Sequence, residues 1–154
     1  MPSPRSSLLS AATSFCNSLS SRSPPSTLSS HFTTTHQSSI YIYEHGLPQL
    51  GPFLGREFRG PSGVQEYFNL LSKHLSYQNM RFSNYIVDPE VGQVSVRGEA
   101  RFTWLSTNQS WDEVFTYVLK FDQDLKLIRY EVWADSGAAY LASQGLLDDD
   151  VKNK

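Results

Sequence analysis

Apolar residues follow helical spacing in the first part of the chain and strand-like alternation in the last part. The helical stripe of the first segment consists of Leu8, Ala12, Phe15 and Leu19. This period predicts an amphipathic helix that ends before Pro24, and a short second helix after Pro25, so that helices occupy residues 6–32. A second stripe, which follows the turn at Gly60, predicts a helix over residues 61–76.

Alternation with a period of two predicts the strands. Residues 39–45 alternate isoleucine with tyrosine, which indicates a first strand, and residues 80–135 contain four long segments of this kind separated by short turns. A short helix over residues 136–143 follows, with Asp135 as its N-cap, and residues 146–154 form a polar tail. This order predicts a single α+β domain over residues 1–145, in which a curved antiparallel sheet packs on the N-terminal helices.

The alternation also sorts the strand residues into two faces. If the first long turn pairs Trp104 with Trp111, and the next hairpin turns at residues 123–124, one face is almost wholly apolar and aromatic. Its members are Phe102, Trp104, Trp111, Glu113, Phe115, Tyr117 and Tyr130. A slip of one residue in the second hairpin would replace Tyr130 by Arg129 and its alternate neighbours on this face, and that alternative stays open.

The opposite face mixes charged side chains with apolar ones. It carries Arg97, Arg101, Val114, Thr116, Val118, Arg129, Glu131 and Trp133. Apolar and tryptophan anchors among arginines and polar groups are typical of protein interfaces, which predicts a homodimer through this face. A solvated face with cross-strand ion pairs is the alternative, because antiparallel sheets often leave one face in water.

Composition narrows the function classes. The chain has 154 residues, of which 39% are hydrophobic and 18% charged, so it is long enough for one core and too apolar for a disordered chain. Its formal net charge of -2 and the lack of a dense Lys/Arg stripe argue against nucleic acid as a partner. A single cysteine provides neither an internal disulfide nor a zinc-type ligand set, and no apolar run has membrane-spanning length. We therefore expect no metal, no other cofactor and no membrane partner.

The N-terminal segment has two interpretations. The first 43 residues are rich in serine and contain no acidic residue, a composition that also occurs in organellar transit peptides. The helical stripe that begins at Leu8 favours instead a helix that packs on the body of the domain. We expect a cytoplasmic protein, with a mitochondrial leader as the alternative.

The order of elements resembles a known fold family. Two early helices, a strand, a third helix and four long antiparallel strands are similar to the cone-shaped, cystatin-like fold of the nuclear transport factor 2-like superfamily. The segments that carry the resemblance are Tyr43-Glu44-His45-Gly46, Phe53-Leu54-Gly55-Arg56, residues 110–115 and residues 130–135, which are similar to fungal members of its SnoaL-like branch. The resemblance implies a pocket on the concave face of the sheet, closed by the first helices, and pairing of two subunits through the convex face. It implies no single activity, because the superfamily includes cyclases, dehydratases and isomerases as well as members that only bind or scaffold.

Three functional hypotheses follow from the residues assigned to the pocket. An aromatic lining favours binding of a small hydrophobic or aromatic metabolite. That lining comprises Tyr43, Phe102, Trp104, Trp111, Phe115, Tyr117 and Tyr130. Alternatively, Glu113 on its apolar face, together with His45, would serve a cofactor-independent lyase or isomerase that acts by acid/base chemistry on a polyketide-like substrate. The third hypothesis is a dimerisation or scaffold domain whose pocket is filled by its own side chains.

Overall fold

The computed structural model describes residues 4–147, and within them four α-helices and six strands. The helices are α1 (Arg5–Ser20), α2 (Pro25–Ser29), α3 (Gly60–His74) and α4 (Ser136–Ser143). The strands are β1 (Tyr41–His45), β2 (Glu57–Arg59), β3 (Leu75–Asp88), β4 (Gln93–Trp104), β5 (Gln109–Phe121) and β6 (Leu127–Trp133). The predicted α+β class, with a curved sheet packed on helices, is confirmed. Residues 1–3 of the predicted domain and residues 148–154 of the predicted tail lie outside the described residues.

The six strands form one sheet in the order β2-β1-β6-β5-β4-β3. The long neighbours pair antiparallel as predicted, whereas β1 and β6 run parallel. The alternation did not predict β2, which has 3 residues and is too short to show a period. Strand β3 begins at Leu75, earlier than the predicted residue 80, because Leu75 already pairs with Trp104 and ends α3.

The hairpin between β4 and β5 corrects the predicted register. Trp104 pairs with Gln109, and Trp111 pairs with Phe102, so the strands are shifted by two residues from the predicted pairing. The connecting turn spans residues 105–108 and ends on Asn108, whose φ of 59° suits a tight turn. Because side chains alternate with a period of two, a shift of two residues leaves every side chain on its predicted face.

The hairpin between β5 and β6 decides the alternative that the sequence left open. Tyr130 pairs with Leu119 on the buried face, so the slip of one residue does not occur. An irregularity in the pairing beside Phe121 changes which of the first two side chains of β6, Leu127 or Ile128, points into the core. Leu127 is fully buried, although the alternation placed it on the opposite face, and Ile128 is only partly buried.

Helix α1 is part of the hydrophobic core. Its stripe of Leu8, Ala12, Phe15, Cys16 and Leu19 is buried, and the helix packs against β3 and β4. The ring of Phe15 meets that of Tyr130 edge to face, with 5.2 Å between ring centroids. Within residues 4–147, no helix combines the length and apolar composition needed to cross a bilayer.

Candidate functional site

A cavity of about 300 Å³ lies between the buried face of the sheet, which we call the inner face, and the helices. Its wall is rich in aromatic side chains: Phe53, Tyr67, Phe68, Tyr77, Phe102, Trp111, Phe115, Tyr117 and Tyr130. Strand β5 contributes alternate residues because the pleat points every second side chain inward. Gly98 on β4 faces Phe115, and a Cβ at this position would overlap the Phe115 ring. The glycine therefore lets this ring lie against the sheet rather than across the cavity.

Glu113 lies on the cavity wall at the centre of β5. Its side chain is 8% exposed, and one carboxyl oxygen accepts a hydrogen bond of 3.0 Å from Nε1 of Trp111. Burial raises the pKa of Glu113 to about 7, although the bond from Trp111 opposes the shift. Near neutral pH this carboxyl group is therefore present both with and without its proton, the property that a general acid or base requires.

A second carboxyl group, Glu44 on β1, also lines the cavity. It is 7% exposed, and the hydroxyl group of Tyr67 donates a hydrogen bond of 2.6 Å to its Oε1. Burial is the largest cause that raises the pKa of Glu44 to about 8, and the charge of Glu113 raises it further. Glu44 therefore keeps its proton at neutral pH and presents a neutral carboxylic acid to the cavity.

The tyrosines around Glu44 stay neutral. Tyr67, Tyr117 and Tyr130 are buried, and burial raises the pKa of each phenol well above its usual value. Tyr117 and Tyr130 lie side by side, with ring centroids 4.9 Å apart. Their hydroxyl groups are thus hydrogen-bonding groups, not charges, in an otherwise apolar enclosure.

Most residues assigned to the apolar face from the sequence line this cavity. They are Phe102, Trp111, Glu113, Phe115, Tyr117 and Tyr130. Trp104 does not: it is buried at the end of β4, where its ring packs against Phe53 at 6.2 Å and His74 at 5.4 Å between centroids. Phe53 lies in the loop between β1 and β2 and covers Trp104, and no local pattern in the sequence indicates that contact.

The placement of Tyr43 and His45 in the pocket is corrected. Ile42 and Glu44 take the inner positions of β1, so the alternate residues Tyr43 and His45 lie on the opposite, outer face of the sheet. There the Nε2 atom of His45 lies 2.9 Å from an oxygen of Glu131, and its ring stacks on Trp133 with centroids 4.1 Å apart. His45 is therefore not placed to act together with Glu113.

Glu44 is the functional candidate that sequence reasoning missed. The signal was present, because Ile40, Ile42 and Glu44 share one face of the first strand and the two isoleucines are buried. Assigning the isoleucines instead of the tyrosines to the core would have placed Glu44 inside. Within residues 4–147, no group of three His, Cys, Asp or Glu side chains is arranged to hold a metal ion.

Apart from Leu127, the outer face carries the residues that the alternation assigned to it. Val114 is 54% exposed and Trp133 is 42% exposed, and charged side chains surround them. Arg129 and Glu131 form an ion pair at 2.7 Å, and Arg101 pairs with Asp112 at 3.1 Å. Apolar and charged groups are thus interleaved on a face that has no role in enclosing the cavity.

Comparisons with known proteins support the fold. No family model matches the sequence, and a search of curated proteins gave no significant match. A solved NTF2-like protein of unknown function from Burkholderia pseudomallei is 14% identical, with a TM-score of 0.73 over 88% of this chain and 96% of that chain. TerC, co-crystallised with polyporic acid, is 17% identical, with a TM-score of 0.72 over 90% of this chain and 98% of that chain. PrhC from Penicillium brasilianum is 19% identical, with a TM-score of 0.64 over 94% and 96%. The chain therefore has the nuclear transport factor 2-like fold.

Proposed function

We propose that this protein binds a small, flat, largely apolar molecule in the cavity between the sheet and the helices. One observation carries the proposal: aromatic side chains enclose about 300 Å³, and the polar groups among them converge on the same space. This volume lies at the lower end of the range of about 300–1,000 Å³ that is usual for ligand sites. The side chains of residues 4–147 leave this volume open, which favours a binding function over a scaffold domain with a filled pocket.

The polar groups set the kind of ligand that fits. Glu44 offers a proton to an acceptor such as a carbonyl oxygen, and Glu113 can either accept or donate a hydrogen bond. The aromatic wall favours planar rings through stacking and edge contacts. The co-crystal of TerC with polyporic acid is consistent with a small molecule in a protein of this fold.

Thermal shift with a panel of aromatic and polyketide-like compounds tests the binding proposal. A compound present at about 100 times its Kd should stabilise the protein by about 2.7 kcal/mol, which corresponds to roughly 5–10 °C in Tm for a chain of this size. Glu113→Gln should keep the fold and show smaller shifts. Asp112→Asn is the matched control, because Asp112 is the exposed neighbour of Glu113 on the same strand.

One outcome contradicts the binding proposal, and another contradicts only the role of Glu113. If no compound shifts the Tm of the wild-type protein, binding of this ligand class is wrong. If Glu113→Gln and the wild-type protein shift equally, the cavity binds but the carboxyl group has no part in it.

A second candidate function is cofactor-independent acid/base catalysis. The observation that favours it is the pair of buried carboxyl groups, Glu44 and Glu113, whose pKa values are raised into the neutral range. Glu113 would take a proton from an activated C–H bond of the substrate. Glu44 would donate a hydrogen bond to the carbonyl oxygen on which negative charge develops. Glu44 thus replaces His45 as the residue that acts together with Glu113.

Hydrogen–deuterium exchange tests the catalytic proposal without knowledge of the natural substrate. The probe is 2-tetralone, a planar ketone with acidic C–H bonds, followed by proton NMR in D2O. The wild-type protein and Asp112→Asn should accelerate loss of these proton signals, and Glu113→Gln should not. Equal exchange with and without the wild-type protein, at a concentration that binds the ketone, would contradict catalysis and leave binding in place.

A further inference from the structure

The chain carries an arginine at the end of α1, where the backbone conformation favours glycine. The N–H of Arg22 donates to the carbonyl of Leu19 at 3.0 Å, and the N–H of Ser23 donates to the carbonyl of Ser18 at 3.0 Å. These two bonds define a Schellman motif, and Arg22 has the left-handed φ of 55° that this motif requires. Glycine is preferred here because it has no Cβ. The helix end therefore does not explain an arginine at this position.

Arg22 lines the cavity and is exposed to solvent, which places it where the cavity opens. Among the described residues that line the cavity, Arg22 is the one basic residue. Its guanidinium carbon lies 6.0 Å from the ring centroid of Tyr77, and the Tyr77 hydroxyl group donates a bond of 2.6 Å to the carbonyl of Leu19. The ring thus joins the end of α1 to the guanidinium group and holds both beside the opening.

The charge of Arg22 has no carboxylate partner within residues 4–147. By contrast, five other arginines form ion pairs with carboxylates: Arg56, Arg59, Arg81, Arg101 and Arg129. Three acidic residues line the same cavity. Glu44 and Glu113 lie deeper, where burial favours their neutral forms, and the carboxylate of Asp135 caps α4 through the N–H of Ala138. The cavity therefore has a cation on its lining at Arg22, and an aromatic interior in which two buried carboxyl groups have raised pKa values.

We propose that the cavity takes an aromatic acid, with its anionic group against Arg22 at the opening and its rings against the aromatic wall. A guanidinium group presents several N–H donors in a planar fork that matches the oxygens of a carboxylate or a sulfonate. The reverse orientation would bring the anion next to Glu44 and Glu113. If either carboxyl group lost its proton there, its negative charge would repel the anion. The inference rests on the proposed binding function and adds the ligand class to it.

Two fluorescent probes that share one ring system test the inference. 8-Anilino-1-naphthalenesulfonate carries an anion, and N-phenyl-1-naphthylamine is its neutral counterpart. Fluorescence titration gives the Kd of each probe for the wild-type protein, Arg22→Gln, Arg22→Gly and Arg97→Gln. Arg97 is the matched control, because it is exposed on the outer face of β4 and likewise forms no ion pair with the described residues.

The expected result is selective. Both Arg22 variants should weaken the anionic probe by about fivefold, the effect of an exposed ion pair, and leave the neutral probe unchanged. Arg97→Gln should change neither. Arg22→Gly should also have a Tm equal to or above that of the wild-type protein, because glycine suits the left-handed backbone, so weaker binding cannot be attributed to unfolding. The neutral probe should displace the anionic one, since both occupy one cavity.

The outcomes that overturn the inference differ from those that overturn the binding function. If the neutral probe binds but the Arg22 variants change both probes equally or neither, the role of Arg22 is wrong and the binding function stands. Failure of the neutral probe to displace the anionic one also overturns the role of Arg22. If neither probe binds the wild-type protein, the binding function fails, and the inference fails with it.

Discussion

Replacement of Glu44 by glutamine should remove a pH dependence from the stability of the protein. The folded protein holds the pKa of Glu44 at about 8, whereas the ordinary pKa of a glutamate side chain is 4.5. Between these values the folded state keeps a proton that the unfolded state has lost, so the free energy of unfolding falls as the pH rises. The stabilisation is complete below about pH 4.5 and is lost as the pH passes through 8.

The size of this effect follows from the pKa. Each pH unit between the two pKa values changes the free energy of unfolding by about 1.4 kcal/mol. Between pH 5 and pH 8 this is about 4 kcal/mol, a large fraction of the total stability of about 5–15 kcal/mol that is usual for a domain. Glutamine has the shape of the protonated carboxyl group and can still accept the bond from Tyr67, but it carries no titrating proton.

Equilibrium urea denaturation at pH 5, 7 and 9, followed by circular dichroism, measures the difference. Glu44→Gln should match the wild-type protein within about 1 kcal/mol at pH 5 and exceed it by about 4 kcal/mol at pH 9. Titrating groups that do not interact with Glu44 are common to both proteins and cancel in this comparison, whereas the interaction with the charge of Glu113 is part of the measured difference. Glu57→Gln is the control, because Glu57 is exposed on the neighbouring strand β2 and its pKa is lowered by the side chain of Arg59. A difference between Glu44→Gln and the wild-type protein that is the same at every pH would refute a neutral Glu44 in the folded state.

Three other changes test the packing and the outer face. Deletion of residues 1–21 removes the buried stripe of α1 and should lower the Tm, because each large side chain of the stripe contributes about 1.5–3 kcal/mol to stability. An unchanged Tm would contradict a structural role for this helix. Gly98→Ala should cost about 1–3 kcal/mol in urea denaturation, because the new methyl group displaces Phe115, whereas Gly137→Ala meets only ordinary contacts and should be neutral. We propose that the outer face pairs two copies of the chain. Trp133→Asp should then convert a dimer to a monomer in light scattering, and a wild-type mass that stays monomeric at every concentration would contradict the pairing.

The alternation of side chains predicted the wall of the cavity well because its period tolerates errors of two residues. Both long hairpins are shifted by two residues from the predicted pairing, yet Glu113 and Tyr130 point inward as predicted. The face on which a side chain lies changes only if the register shifts by an odd number of residues. The residue that pairs with it on the neighbouring strand, by contrast, depends on the length of the turn. The sequence therefore predicted the members of the wall better than their contacts.

The errors occur where nonlocal contacts decide the outcome. Strand β1 has only 5 residues, and its isoleucines and tyrosines are equally suited to a buried strand face. Parallel pairing with β6, more than eighty residues later in the chain, places Ile42 beside Tyr130 and so turns Tyr43 and His45 outward. Trp104 is covered by Phe53, a residue of a distant loop. Arg22 lies at the end of a helix, where the sequence predicts an ordinary surface residue. The local sequence offered two possible faces for β1 and did not show which distant residues would cover Trp104 or lie beside Arg22.

An NMR titration with 1-naphthol tests the central claim, that the cavity is the ligand site, most directly. The indole N–H signals of two tryptophans report on two separate places: Trp111 lines the cavity and donates to Glu113, and Trp133 lies on the outer face. The proposed function predicts that the Trp111 signal in a proton–nitrogen correlation spectrum moves with a single saturating Kd while the Trp133 signal stays in place. Movement of the Trp133 signal with an unchanged Trp111 signal, or no movement of either, would contradict it.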